Sequence, residues 1–314
     1  MTRPLTGTQY ELHYGDYTAS IASIGASLRS LSYGGRELVV PFGPETVRPN
    51  YRGAVLAPWP NRIAGGAYNW GGELQQVALT EPERGNALHG LAAWLDFGAI
   101  EQTPSRVTLA ATIVAQRGYP HRIDVEVVYE LGEGGLRSSV TGTNTTPEAA
   151  DGTPDEAPWG TGPHPYLVAG PGHVDDWTLL LPAEQVLEVT DDTLLPVGLA
   201  SVAEANGGAW DFREARRIGG VAIDHAFTAI ARDAAGEASV EVRAADGSGV
   251  AITWGDVCPW VQVHTADRPE PEQNRIGLAV EPMTCPPDAF NSGTDLVVLR
   301  SGESHTAGWT IAAL

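Results

Sequence analysis

In the segment HRIDVEVVYEL, residues 121–131, apolar and polar side chains alternate. Ile123, Val125, Val127, Tyr129 and Leu131 fall on one face of an extended chain, and Asp124, Glu126 and Glu130 on the other. Successive side chains of a strand point to opposite sides, so the pattern predicts a strand with one face on a core and one in water. SRVTLAATIV (105–114) and ASVEVRA (238–244) read the same way, and GVAITWG and WVQVHT, near 249–265, read as two adjacent strands. Gly-Gly pairs in YGGREL and YNWGGELQQV sit between strand-like flanks, as hairpin turns do. Convincing amphipathic helices are scarce, and ANGGAWDFREARRIGG reads as a loop with one helical turn. Many short strands without alternating helices predict an all-β antiparallel sandwich rather than a βαβ fold. The acidic, Pro- and Ala-rich segment TPEAADGTPDEAP (146–158) reads as an exposed loop. No other boundary and no fixed-period repeat is visible, so residues 1–314 are expected to form one domain.

Charge narrows the function. The chain carries 39 acids against 19 bases, a net charge of -20, and every base is arginine. Such a surface repels phosphate backbones, which argues against a nucleic-acid partner. It also disfavours an anionic membrane or a strongly anionic metabolite. Without lysine there is no Schiff base, no pyridoxal-phosphate anchor and no Walker-type phosphate loop. Cys258 and Cys285 form no CxxC pair, so a zinc ribbon is not available. The N-terminal MTRPLTGTQYELHYGDY lacks the apolar segment of a signal peptide, and no run approaches the ~18 apolar residues of a membrane span. The expectation is a cytoplasmic protein with reduced thiols.

Five segments carry side chains suited to chemistry. APWPNRIAGGAY (57–68) places Asn61 and Arg62 after rigid or bulky residues; the arginine fork suits sugar hydroxyls or carboxylates, or is a surface arginine in a turn. ERGNALHGLAAW (83–94) carries His89 in a loop before a glycine, either solvated or used. GTGPHPYL holds His164 between two prolines, which fix φ and give up their N–H groups. VAIDHAFT (221–228) offers Asp224 and His225, a functional pair or a capping pair. In IGLAVEPMTCPPDAFN (276–291), Glu281 follows an apolar run; a carboxylate there is costly unless paired or used, and desolvation raises its pKa toward that of a general base. There is no HExxH, no GxSxG and no complete dinucleotide fingerprint. What remains is metal-free acid–base work by His and Glu in a tryptophan-rich β protein, with aromatic, Asp, Asn and Arg groups fit for a carbohydrate.

Taken in order, these segments resemble the aldose 1-epimerase (galactose mutarotase) family over nearly the whole chain. IGASLRSLSYGGREL, LEVTDDTLLPVG and EPMTCPPDAFN contribute, and YRGAVLAPWPNRIAGG and GNALHG are most similar to its bacterial branch. There are two departures: the family often has Thr where this chain has Pro163, and a second glycine where it has Leu91. The resemblance implies a large antiparallel β-sandwich of the galactose mutarotase type with the sugar on a concave sheet face. It implies Glu281 as the base at the C1 hydroxyl and His164 as the acid at the ring oxygen. Arg62, His89, Asp224 and Asn61 would bind the sugar, with no metal or organic cofactor, in a monomer or homodimer.

The expected activity is mutarotation of a free aldohexose such as glucose or galactose. A second reading is the same reaction on an anionic sugar, a hexose 6-phosphate or sulfonated hexose, for which arginines such as Arg52, Arg84 or Arg275 would have to supply the charge. A non-catalytic carbohydrate-binding sandwich, and a glycosidase pairing Asp224 with Glu281, complete the alternatives.

Overall fold

The computed structural model describes residues 3–314, and strands dominate it. A nine-stranded sheet runs in the order Gly98–Gln102, Arg106–Ile113, Ile123–Gly132, Gly135–Asn144, Ser304–Ala313, Gly249–Trp254, Ala238–Arg243, Thr178–Leu180 and Arg216–Arg217. A six-stranded sheet runs Tyr166–Leu167, Leu278–Met283, Trp260–His264, Asp224–Ile230, Ala183–Val189 and Pro196–Ser201. A four-stranded sheet is formed by Gln9–Tyr14, Tyr17–Ala22, Ser27–Tyr33 and Arg36–Glu37. Every neighbouring pair in the two larger sheets is antiparallel.

The alternation in the sequence is the alternation in the molecule. Ile123, Val125, Val127, Tyr129 and Leu131 are all buried, while Glu126 between them is exposed. Leu12, Ile21 and Leu31 from the four-stranded sheet and Phe227, Val261, Val263, Leu278 and Val280 from the six-stranded sheet meet them in one apolar cluster. Removing each such aliphatic side chain from water is worth roughly 1.5–3 kcal/mol, which fixes which face of each strand turns inward. YGGREL and YNWGGELQQV are hairpins, pairing Tyr33 with Arg36 and Trp70 with Glu73. The helical turn expected near 205 is the 3-10 turn Ala205–Gly208.

Two expectations need correction. Gly249–Trp254 and Trp260–His264 are consecutive but not adjacent: the first lies in the nine-stranded sheet and the second in the six-stranded one. Their periodicity is the same, and nothing local in the sequence says that the five residues between them carry the chain across the core. The loop expected at 146–158 ends early, because Glu156–Trp159 pairs with Val297–Arg300. Asp155 also accepts from Asn144 Nδ2 at 3.0 Å and contacts His121 Nδ1 at 2.8 Å.

Gly90 shows how tightly the site is tied to the frame. It sits at φ +73°, and a Cβ there would lie 2.2 Å from the carbonyl oxygen of Ala57. That oxygen accepts from the N–H groups of Leu91 (2.7 Å) and Ala92 (2.8 Å), so it cannot yield cheaply. Gly71 has a similar φ of +59° but open space around its Cβ position. Gly90→Ala should therefore cost about 2 kcal/mol or more beyond Gly71→Ala in urea unfolding, since both incur the backbone strain but only one meets a wall. Equal costs would contradict the close approach.

Candidate active site

A strand has two faces, and in the six-stranded sheet one of them is already committed to the core. Along Leu278–Met283, Leu278 and Val280 face the core, so Glu281 faces the other way. Along Trp260–His264, Val261 and Val263 face the core, which turns out Gln262 and His264. Register then assembles them: Gln262 lies opposite Glu281, and His264 opposite Asp224. Gln262 Nε2 donates to Asp224 Oδ1 at 2.7 Å. His225 is turned onto Trp210, with ring centroids 4.0 Å apart.

The prolines around His164 mark a change of sheet. Gly162–Pro163 pairs with Val55–Leu56, and Tyr166–Leu167 joins the six-stranded sheet. Between them His164 keeps both backbone bonds, donating to Ala54 O (3.1 Å) and accepting from Gly53 N (2.8 Å). The amides given up by Pro163 and Pro165 flank the one residue whose amide is needed. The imidazole stacks on Tyr166 at 5.2 Å and 13°. Its Nε2 lies 3.5 Å from Glu281 Oε1.

Asn61 and His89 both have positive φ, 57° and 63°. Asn and His are among the residues that tolerate this region best. The two hold each other: His89 N donates to Asn61 O at 2.8 Å, and Asn61 N donates to His89 Nδ1 at 3.2 Å. A ring nitrogen that accepts carries no proton, so His89 presents Nε2–H as a donor. Arg62 makes a two-bond fork with Glu81, at 2.8 and 2.9 Å, and donates from Nη1 to Asn61 Oδ1 at 3.3 Å.

Asn61, Arg62, His89, His164, Asp224 and Glu281 all line one cavity of ≈ 670 Å³. Gln262, His264, Glu81 and Tyr166 line it too and were not singled out from the sequence. For Gln262 and His264 a signal existed, because these two polar residues alternate with Val261 and Val263 in WVQVHT and so fall on one face. Glu81, in TEPERG, had none. Leu91, one of the departures, has φ −107°, so this backbone needs no glycine there.

Burial sets the charges. It pushes the Glu281 carboxyl well above its usual range, the nearby Asp224 charge adds to this, and Arg62 pulls the other way. Burial takes His164 down to about 3, helped by His264, while Asp224 opposes. His89 is pushed well below 6.5, again by burial first and then by His164 and Arg62. Burial also works against the Asp224 charge, but His264, Arg62 and Gln262 outweigh it and keep this carboxyl below its ordinary value. Burial thus works against charge on both members of the pair and favours a protonated Glu281 beside a neutral His164. Glu281 Oε2, His164 Nδ1 and Gln262 Oε1 are buried and have no hydrogen-bond partner. Such orphaned atoms are costly, and they are the groups a polyhydroxylated ligand would satisfy. Among the described residues no group of three or more His, Cys, Asp or Glu could hold a metal ion.

The chain matches the model of the aldose 1-epimerase family over residues 8–312. It is 38% identical over 301 residues to the uncharacterized protein YihR of Escherichia coli K12, covering 96% of this chain and 91% of that one. Its fold is similar to that of the GalM/aldose epimerase homologue from C. elegans, with a TM-score of 0.83, 18% identity and 98% of each chain covered. It is similar also to galactose 1-epimerase from Lactobacillus acidophilus, with a TM-score of 0.79, 18% identity, and 100% and 97% covered.

The depressed histidines make stability pH-dependent. Below pH 6.5 the unfolded chain binds a proton at residue 89 that the folded chain does not, so this contribution is complete above 6.5 and is lost as pH falls. The loss approaches about 1.4 kcal/mol per pH unit. Glu281 acts in the opposite sense, since its folded form stays protonated where the unfolded carboxyl ionises, above 4.5. His89→Asn, which keeps an acceptor for Asn61 N–H, should flatten the decline between pH 6.5 and 4.5 by about that slope in urea unfolding. Parallel curves for variant and wild type would contradict a buried neutral His89.

Proposed function

The chain belongs to the aldose 1-epimerase family of isomerases, and from that premise we propose that it interconverts the α and β anomers of a free aldohexose such as glucose or galactose, Glu281 and His164 exchanging protons with the hemiacetal. The observation that carries this reading is the buried His164–Glu281 pair, 3.5 Å apart in a cavity large enough for a hexose. Opening the ring requires a proton to leave the C1 hydroxyl and another to reach the ring oxygen. Glu281 as carboxylate takes the first, and His164 as imidazolium gives the second. The C1–O5 bond breaks, its electron pair goes to O5, and the aldehyde forms. Rotation about C1–C2 presents the other face. Closure then runs in reverse: O5–H returns its proton to His164 while Glu281 protonates the carbonyl oxygen.

The proton count explains the charge pattern. With the open-chain sugar bound, Glu281 is protonated and His164 neutral, the distribution that burial favours in the empty site. With the cyclic sugar bound the pair is ionic, and sugar hydroxyls on the orphaned Glu281 Oε2 and His164 Nδ1 supply the solvation that state needs. Arg62 favours the Glu281 carboxylate and Asp224 favours the His164 imidazolium, while Asp224 opposes the charge on Glu281. Arg62, His89 and Asn61 bind the sugar on one side, Asp224 and Gln262 on the other. The reaction transfers protons and breaks and remakes the C1–O5 bond with no net change of oxidation state, so the proposal calls on no cofactor.

Glu281→Gln and His164→Asn should each lower the acceleration of α-D-glucose or α-D-galactose mutarotation, followed by polarimetry, by about 10²–10⁴-fold with the far-UV circular dichroism retained. Wild-type rates in both folded variants would overturn the assignment.

A further inference from the structure

Four arginines are buried: Arg48, Arg52, Arg62 and Arg275. Three are held by several strong bonds, although the Nε of Arg48 is without a partner. Arg48 donates to Ser27 Oγ, Ile24 O and Ala93 O. Arg62 holds Glu81. Arg275 holds Asp175 and Asp267 and donates to Gly219 O, which removes it from the site. Arg52, only 7% exposed, has a single long bond to Pro41 O at 3.3 Å, and its Nε has no partner. Its guanidinium carbon stands 5.4 Å from the centre of the Tyr166 ring. Arg268, half-buried in the cavity wall, likewise has a buried Nε without a partner. Among the described residues neither forms an ion pair, in a chain with 39 acids to choose from. The neighbouring acid of Arg268, Asp267, is taken by Arg275 and Thr265. The two cations are also close enough that Arg268 adds to the burial that lowers the Arg52 pKa.

Desolvated guanidinium groups near one another and without a counter-charge are unfavourable, and an anion would relieve both. Their position says which part of a sugar would bring it. Under the mutarotase reading, on which this inference rests, His164 faces the ring oxygen. C5 is bonded to that oxygen and carries C6, so the C6 substituent falls beside His164. Tyr166 stacks on His164 there, and Arg268 and Arg52 lie around Tyr166. Arg84, the other cavity arginine open to this role, is engaged by Glu81 at 3.4 Å and by Asp192 O at 2.7 Å.

We propose that Arg268, backed by Arg52 behind the Tyr166 ring, forms an anion subsite for the C6 end of the sugar, and that the preferred substrate is an aldohexose bearing phosphate, sulfonate or carboxylate at C6. A single local cluster overrides the repulsion of the acidic surface, because screening limits that surface to about 8–10 Å while the arginines act at contact.

The test compares kcat/KM for mutarotation of glucose, glucose 6-phosphate, 6-deoxy-6-sulfoglucose and glucuronic acid, each above its uncatalysed rate. At least one anionic sugar should exceed glucose by about tenfold or more, and which one identifies the anion. Arg268→Gln should lower that anionic-to-neutral ratio about tenfold, and Arg52→Gln should lower it in the same direction, with glucose turnover reporting that each variant is folded. Glucose accelerated without any anionic preference, or a ratio unmoved in both variants, would overturn the subsite and leave the mutarotase reading standing. Acceleration of none of the four sugars would overturn both.

Discussion

The site depends on one constraint: a strand offers two faces, and the core claims one of them. Val261, Val263, Leu278 and Val280 are held inward by their burial. With those four fixed, Gln262, His264 and Glu281 have only one direction left, and register sets them against each other and against Asp224. A one-residue slip of Leu278–Met283 would send Glu281 into the apolar core and Val280 into the cavity. The cost of burying an unpaired carboxylate there protects the arrangement as firmly as any bond within it. The cavity's acid–base groups are thus positioned by hydrophobic burial on the far side of their own sheet.

Burial then does a second job, on charge. A solvated glutamate and histidine at neutral pH would be an anion and a largely neutral imidazole with little to exchange. Inside the sheet face both are pushed toward neutrality, which leaves one proton for two groups 3.5 Å apart. Arg62 acting on Glu281 and Asp224 acting on His164 keep the ionic alternative within reach, against the push of Asp224 on Glu281. A ligand has only to resupply solvation to move the proton. Asp224 itself remains ionised because His264, Arg62 and Gln262 surround it, so the two carboxyls of one cavity take different roles from different surroundings.

How much of this was legible in the sequence follows from range. The strands at 106–113 and 123–132 and the hairpins at 33–36 and 70–73 were readable, because alternation and Gly-Gly turns are local. The cavity residues Asn61, Arg62, His89, His164, Asp224 and Glu281 were found through short Pro- and Gly-marked motifs and through order along the chain. Gln262 sat inside a strand that read as a strand and nothing more; its function is set by its cross-strand partner. Glu81 was invisible because its value lies in the fork it makes with Arg62. The segments 249–254 and 260–264 read as adjacent strands and lie in different sheets, because periodicity does not say which sheet a strand enters. Of the arginines weighed for an anionic sugar, only coordinates could show that Arg275 is committed to Asp175 and Asp267, that Arg84 sits on Glu81, and that Arg52 has no partner.

The central claim is that His164 and Glu281 share a single proton that burial keeps on Glu281 until a sugar arrives. The direct test is the ¹⁵N spectrum of the histidine rings at neutral pH, with His164 assigned by its loss in His164→Asn, recorded without ligand and with saturating sugar. The account predicts a neutral His164 imidazole in the empty enzyme and a shift toward imidazolium when the cyclic sugar fills the cavity. An imidazolium in the empty enzyme, or a ring that stays neutral and unshifted on saturation, would contradict it.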